Sequence, residues 1–194
     1  MKRNFSFAIV FLVAVAGCQK TKSKSASNQA KIDACSLITK DEVQKIQGSP
    51  VTDVKPNETS DDNFLFSQCF YSTQVFNESV SLAVTQRNSS SDKARDPKTF
   101  WKETFGRYDG TLKEQDGDEE KKKSLGDKDD ERGAPPKKIT GVGDDAWWSA
   151  NRVGGAIYVL KDNVFIRISV GGSGDEESKI EKSKALAAKA LSRL

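Results

Sequence analysis

Ala156-Ile157-Tyr158-Val159-Leu160-Lys161-Asp162-Asn163-Val164-Phe165-Ile166-Arg167-Ile168-Ser169-Val170 is the stretch that decides the fold. Its two apolar runs, Ala156–Leu160 and Val164–Val170, flank a tight-turn signal at Asp162-Asn163, which is the pattern of a β-hairpin. With those two residues as the loop, Val159 faces Ile166 and Ile157 faces Ile168 on the core side. The same register sets Tyr158 beside Arg167 on the other side. A slip of one residue would divide the apolar set between the two faces, so side-chain parity selects this register.

Just upstream, Ala146-Trp147-Trp148-Ser149 reads as a further strand. Adjacent strand residues point to opposite faces, so one indole is expected to pack in the core. The other is either covered by a helix or exposed as a contact near Tyr158. Trp147, Trp148, Tyr158 and Arg167 are therefore the candidate binding residues, since exposed aromatic rings suit ligand or partner recognition. Before the strand, Gly141-Val142-Gly143-Asp144-Asp145-Ala146 formally fits the dinucleotide fingerprint G-x-G-x-x-G/A. That motif needs a strand before it and a helix after it. Here Pro135-Pro136 precedes it and the tryptophan strand follows, so a glycine turn feeding a strand is the better reading, and no cofactor is expected.

Two more strands are expected at Phe64–Tyr71 and Ser79–Gln86. In the second, Val80, Leu82 and Val84 alternate with Ser81, Ala83 and Thr85. Three helices complete the pattern. Thr39 caps the first, Glu42 completes its capping box, Ile38 and Val43 form a hydrophobic staple, and Gly48 ends it. Asp96 caps the second with Pro97 at its first position and Gly106 at its end, and Trp101 and Phe105 bury against the sheet. The last starts near Ser173 or Asp175 and runs to the end of the chain, with Ile180, Ala187, Leu191 and Leu194 as its buried stripe. Helix, strands, helix, strands, helix argues for an α+β domain, an antiparallel sheet with helices packed on it. A sandwich resembling the PsbP-like fold is the specific expectation, by analogy. Cys69-Phe70-Tyr71-Ser72 with the strand and helix after it also parallels Ala146-Trp147-Trp148-Ser149 with its followers, which raises an internal duplication.

Residues 106–138 form a charged stretch of Asp, Glu, Lys and Gly that buries too little apolar surface to order itself, so a disordered surface loop is expected. Its Asp116, Asp118 and Glu120, or Asp127, Asp129 and Glu131, invite a calcium reading. Lys121 and Arg132 stand where an EF-hand loop requires glycine, so no metal site is expected.

The chain has no histidine. This removes Ser-His-Asp and Cys-His catalysis and zinc sites built on imidazole. The adjacent Asp144 and Asp145 keep open a carboxylate-based enzyme, although a solvated pair at a turn is the default.

Residues 1–18 have the three parts of an export signal: basic Lys2 and Arg3, an apolar run from Phe5 to Val15, and small residues before a cysteine in Val15-Ala16-Gly17-Cys18. The apolar run is too short for a comfortable membrane-spanning helix. The box resembles that of bacterial lipoproteins, which implies a signal peptide over residues 1–17. It also implies a diacylglycerol on Cys18 and fatty acid such as palmitate as the membrane anchor, two or more chains being needed for stable attachment. Residues 18–33, lipidated Cys18 followed by Lys, Ser, Asn and Gln, form a flexible tether with an r.m.s. span of roughly 20 Å. Residues 34–194 form the domain. Cys35 and Cys69 are then left for each other in an oxidising compartment. Without Lys2 and Arg3 the formal net charge falls from +3 to about +1, which gives no basic bias toward nucleic acid.

The opening Cys35-Ser36-Leu37-Ile38-Thr39, then Glu42-Val43 and Gly48-Ser49-Pro50-Val51, resembles a group of small bacterial lipoproteins of unknown function that has actinobacterial members. Cys69-Phe70-Tyr71 and the segment Gly141 to Ala146 match later motifs of that group. The resemblance carries no catalytic residues. It implies an envelope location: the outer membrane where the cell has two membranes, Gln19 being compatible with that sorting, and otherwise the outer face of the cytoplasmic membrane. The leading expectation is a non-enzymatic binding or accessory domain for an envelope protein or small molecule. A carboxylate enzyme or a passive structural lipoprotein is the alternative.

Overall fold

The computed structural model describes residues 30–110, 134–151 and 154–194. The elements run α1 (Ala34–Leu37), α2 (Lys40–Gln47), β1 (Val51–Ser60), β2 (Phe64–Thr73), a 3-10 turn (Phe76–Glu78), β3 (Val80–Arg87), α3 (Pro97–Asp109), β4 (Lys137–Ile139), β5 (Asp145–Asn151), β6 (Gly154–Lys161), β7 (Val164–Val170) and α4 (Glu176–Leu191). The strands form one seven-stranded antiparallel sheet in the order β1-β2-β3-β7-β6-β5-β4. This is the expected α+β architecture.

The deciding hairpin has the register that parity selects: Ile157 pairs with Ile168, Tyr158 with Arg167 and Val159 with Ile166. Asp162 takes a positive φ of 53° in its two-residue loop. Across the centre of the sheet, Leu82 pairs with Ile168 and Val84 with Ile166, so β3 and β7 continue the same apolar face.

That face packs against α1, α2 and α4. Val43, Tyr71, Leu82, Trp148, Ile157, Ile168 and Leu186 lie in this main core. Thr39 and Glu42 make the expected capping box, and Gly48 ends α2 in the left-handed conformation. Cys35 and Cys69 are joined by a disulfide that ties α1 to β2. Arg193 forms a two-pronged pair with Glu42, with N···O distances of 2.8 and 2.9 Å, and also donates to the Leu37 carbonyl at 2.8 Å. Through this one side chain the end of the chain is fastened to α1 and α2. The arginine, then the Thr39 amide, holds the Glu42 carboxyl down at about 2, against an ordinary 4.5. Beside them the fully buried Tyr71 donates to the Ile38 carbonyl at 2.6 Å, and burial pushes its hydroxyl up to about 12.

Several boundaries differ from expectation. β1 carries Pro56 and mostly charged or polar residues, and its strand character was not legible in the sequence. As an edge strand it needs only one paired side, where proline and charges are tolerated and discourage further pairing. α3 does not stop at Gly106. It continues to Asp109 and is capped by Gly110 at a φ of 75°. Burial of Trp101 and Phe105 outweighs the roughly 1 kcal/mol that a mid-helix glycine costs. The charged stretch is therefore shorter than residues 106–138: α3 takes its start and β4 its end, while residues 111–133, with all six calcium-candidate carboxylates, lie outside the described residues. α4 ends at Leu191 rather than at the terminus. Ile180, Ser183, Leu186, Ala187 and Ala190 are its buried residues, and Leu194 is exposed.

The duplication does not survive the topology. β2 adjoins β3, but β5 is separated from β7 by β6, so the aromatic strands do not occupy equivalent places. The helices that follow the two segments also pack on opposite faces.

Two outcomes follow for stability. The bridge closes a loop across a separation of 34 residues, so replacing both Cys35 and Cys69 with alanine should lower unfolding free energy in urea by roughly 3–4 kcal/mol. Glu42→Gln should cost about 1–3 kcal/mol near pH 7. Because the folded carboxyl titrates below its ordinary value, its contribution is complete above about pH 5 and fades as pH falls toward 2. Denaturant midpoints of parent and variant should therefore converge on acidification, and a gap that stays constant down to pH 2 would refute the Arg193 contact as its source.

Candidate functional site

The second face of the sheet is covered by α3 at one end. Trp101 and Phe105 from the helix meet Trp147, Leu160 and Phe165 from the strands in a separate aromatic cluster. Phe105 stacks on Trp147 with centroids 5.8 Å apart and ring planes within 4°. The helix begins there because Asp96 caps it through the Thr99 amide, and Asn163 of the hairpin loop accepts from the Lys98 amide at 3.2 Å.

Asp145 fastens the cluster. Its Oδ2 accepts from the Trp101 indole at 2.9 Å and from the Trp147 indole at 3.4 Å, and its Oδ1 takes the Lys138 ammonium. The same ammonium lies 4.6 Å from the Trp147 ring centroid, over its face. Asp144 instead braces the β6–β7 loop, accepting from Lys161 at 3.0 Å and from the Asp162 amide at 2.6 Å. Lys161, then that amide, lowers its pKa. The two carboxylates therefore serve separate structural contacts, and the lowered one is the opposite of what a general acid at neutral pH needs.

The glycine turn is required by space. Gly143 has a φ of 61°, and an added Cβ would lie 2.6 Å from the Leu160 carbonyl oxygen. The Asp144 amide donates to that same carbonyl at 2.8 Å. A strand follows, not a helix, so the dinucleotide geometry is not formed.

Beside the C-terminal half of α3 lies a cleft of about 220 Å³. Phe105 and Tyr108 from α3 and Tyr158 from β6 supply its rings, with Pro136 at one side. Its polar groups are the Thr104 and Ser149 hydroxyls, the two phenols and the Arg107 guanidinium, which stands 5.1 Å from the Tyr108 ring centroid. Arg167 reaches the cleft through Tyr158, donating from Nε to the phenol oxygen at 3.3 Å. Among the described residues none that lines the cleft is a carboxylate, thiol or imidazole. The arrangement can hold a ligand by stacking and by donated hydrogen bonds.

The sequence-derived residues are distributed unequally over this site. Tyr158 lines the cleft and Arg167 supports it. The two tryptophans point to opposite faces as expected, but neither is an exposed contact: Trp147 is 3 % accessible beneath α3 and Trp148 1 % accessible in the main core. A tryptophan-led binding surface is thus corrected to a cleft whose rings are Phe105, Tyr108 and Tyr158. Gly155 explains the depth of Trp148, since a Cβ there would come within 2.3 Å of the indole. Cys35 and Cys69 form the disulfide, and Cys18 lies outside the described residues. Thr104, Arg107, Tyr108, Pro136 and Ser149 were missed. Ending the helix at Gly106 hid Arg107 and Tyr108; the i, i+3 spacing of Phe105 and Tyr108 was the available signal.

Comparison with known proteins found no matching family model, no matching curated protein and no matching solved structure. Among the described residues no helix is long and apolar enough to cross a membrane.

Asp145→Ala should cost about 2–4 kcal/mol, because it strands the buried Trp101 N–H and removes the partner of Trp147. The loss should appear in urea unfolding together with a change in the near-ultraviolet tryptophan signal. An unchanged midpoint would show that the carboxylate does not fasten α3.

Proposed function

We propose that the chain is a bacterial envelope lipoprotein whose domain is a non-enzymatic binding or accessory module. The observation that carries the reading is the Cys35–Cys69 bond. Disulfides persist in oxidising compartments, so the bond favours export, and it leaves Cys18 as the remaining cysteine of the three. Cys18 stands at the end of the export signal, in the box Val15-Ala16-Gly17-Cys18. The likeness of residues 35–51 to small bacterial lipoproteins of unknown function points the same way. Cleavage before Cys18 and its acylation, with fatty acid such as palmitate, would anchor the protein to the outer membrane of a two-membrane cell or to the outer face of the cytoplasmic membrane.

The first described residues are fastened to the sheet. The Ala30 carbonyl accepts from the Gln86 amide at 3.0 Å, the Ile32 amide donates back to that side chain at 2.7 Å, and the Ala34 amide donates to the Ser67 hydroxyl at 2.9 Å. Binding is favoured over catalysis by the cleft lining, which among the described residues offers rings and donors without a carboxylate. The occupant on this reading is an envelope protein or a small envelope molecule, and nucleic acid is not a partner.

Cys18→Ser should abolish incorporation of labelled palmitate and release the protein from washed membranes; a variant that still labels and sediments would sink the lipoprotein reading. Cross-linking of the native membrane followed by mass spectrometry should yield a stoichiometric partner or a bound small molecule. Recovery of random neighbours alone would count against a binding module.

A further inference from the structure

We propose that the cleft takes a small planar organic anion, an aromatic ring bearing a carboxylate. The inference rests on the reading of the domain as a binding module and names its ligand class. Size is the first constraint: at about 220 Å³ the cleft lies below the roughly 300–1,000 Å³ of sites for drug-sized ligands. A single ring with one short substituent suits that space.

Wall chemistry is the second constraint. Phe105, Tyr108 and Tyr158 present rings on both the helix side and the sheet side, and Phe105 and Tyr158 are already in ring contact with centroids 5.5 Å apart. Offset or edge-to-face contacts with a ligand ring gain beyond area burial alone.

Charge is the third. Among the described residues Arg107 is in the lining and no acidic side chain is. Among the described residues neither Arg107 nor Arg167 forms an ion pair with a carboxylate. The Tyr158 oxygen already accepts from Arg167, so its own proton is left to donate elsewhere. The Thr104 hydroxyl donates to the Phe100 carbonyl at 2.8 Å. The cleft therefore offers a guanidinium and a phenol polarised by a second guanidinium, which match a carboxylate better than a neutral amide or alcohol.

The probe is labelled 4-hydroxybenzoate, with 4-hydroxybenzamide as its neutral counterpart, in equilibrium dialysis against the full-length protein in detergent, with protein-free micelles as blank. The acid should bind at one per chain and at least about tenfold more tightly than the amide. Arg107→Gln, at an exposed position, should weaken it about tenfold, and Tyr158→Phe several-fold, both with an unchanged far-ultraviolet circular dichroism spectrum. The same variants should leave binding of the amide within about twofold. Absence of saturable binding, equal affinity for acid and amide, or full affinity in Arg107→Gln each overturns the proposal. If the acid fails to bind while cross-linking recovers a stoichiometric partner, the ligand class is wrong and the binding module stands. Failure of both experiments removes both.

Discussion

The pairing of β3 with β7 is the constraint on which the rest depends. It joins two antiparallel runs, β1-β2-β3 and β4-β5-β6-β7, through strands roughly ninety residues apart, Val80 opposite Val170 and Val84 opposite Ile166. Each run alone would leave an unpaired central strand and half an apolar face. Once the ladder forms, Leu82, Val84, Ile166 and Ile168 make one continuous surface broad enough for α1, α2 and α4 to cover. A contact of this separation is entropically costly to close, and that cost is offset only when the helices arrive. The disulfide and the Arg193–Glu42 pair both act on that same side. They hold the two ends of the domain over the core rather than shaping the sheet itself.

Among the described residues the opposite face has a single helix, and this asymmetry produces the cleft. α3 is long enough to seal Trp147, Leu160 and Phe165. It leaves Tyr158, Ser149 and Arg167 at its margin, half-buried on the strands. Asp145 is decisive here, because one carboxylate satisfies two indoles and a lysine and so sets where the helix lies. The cleft is what remains between a fastened helix and a sheet wider than it.

Much of the architecture was legible because its signals are local. Thr39 with Glu42, Asp96 with Pro97, and the alternation through Val80–Val84 specify elements without reference to distant chain. The hairpin register was legible for the same reason, since parity across a two-residue loop leaves one arrangement with all apolar side chains together. β1 was not legible, because an edge strand with Pro56, Asp53 and Glu58 lacks the apolar alternation by which strands are recognised. The end of α3 was misread at Gly106, where tertiary burial overrides propensity. That error also concealed Arg107 and Tyr108, two of the residues that line the candidate cleft.

By itself the sequence determined the α+β class, the capped helices, the register of the central hairpin and the opposite facing of Trp147 and Trp148. These follow from backbone periodicity and from capping chemistry, which act over a few residues. The tertiary structure alone decided that both indoles are covered, that Asp144 and Asp145 serve different contacts, and that Tyr158 meets Phe105 and Tyr108 at a cleft. Those outcomes depend on which helix lies on which face and how far it reaches. That is set by packing between segments far apart in the chain, and no local pattern encodes it.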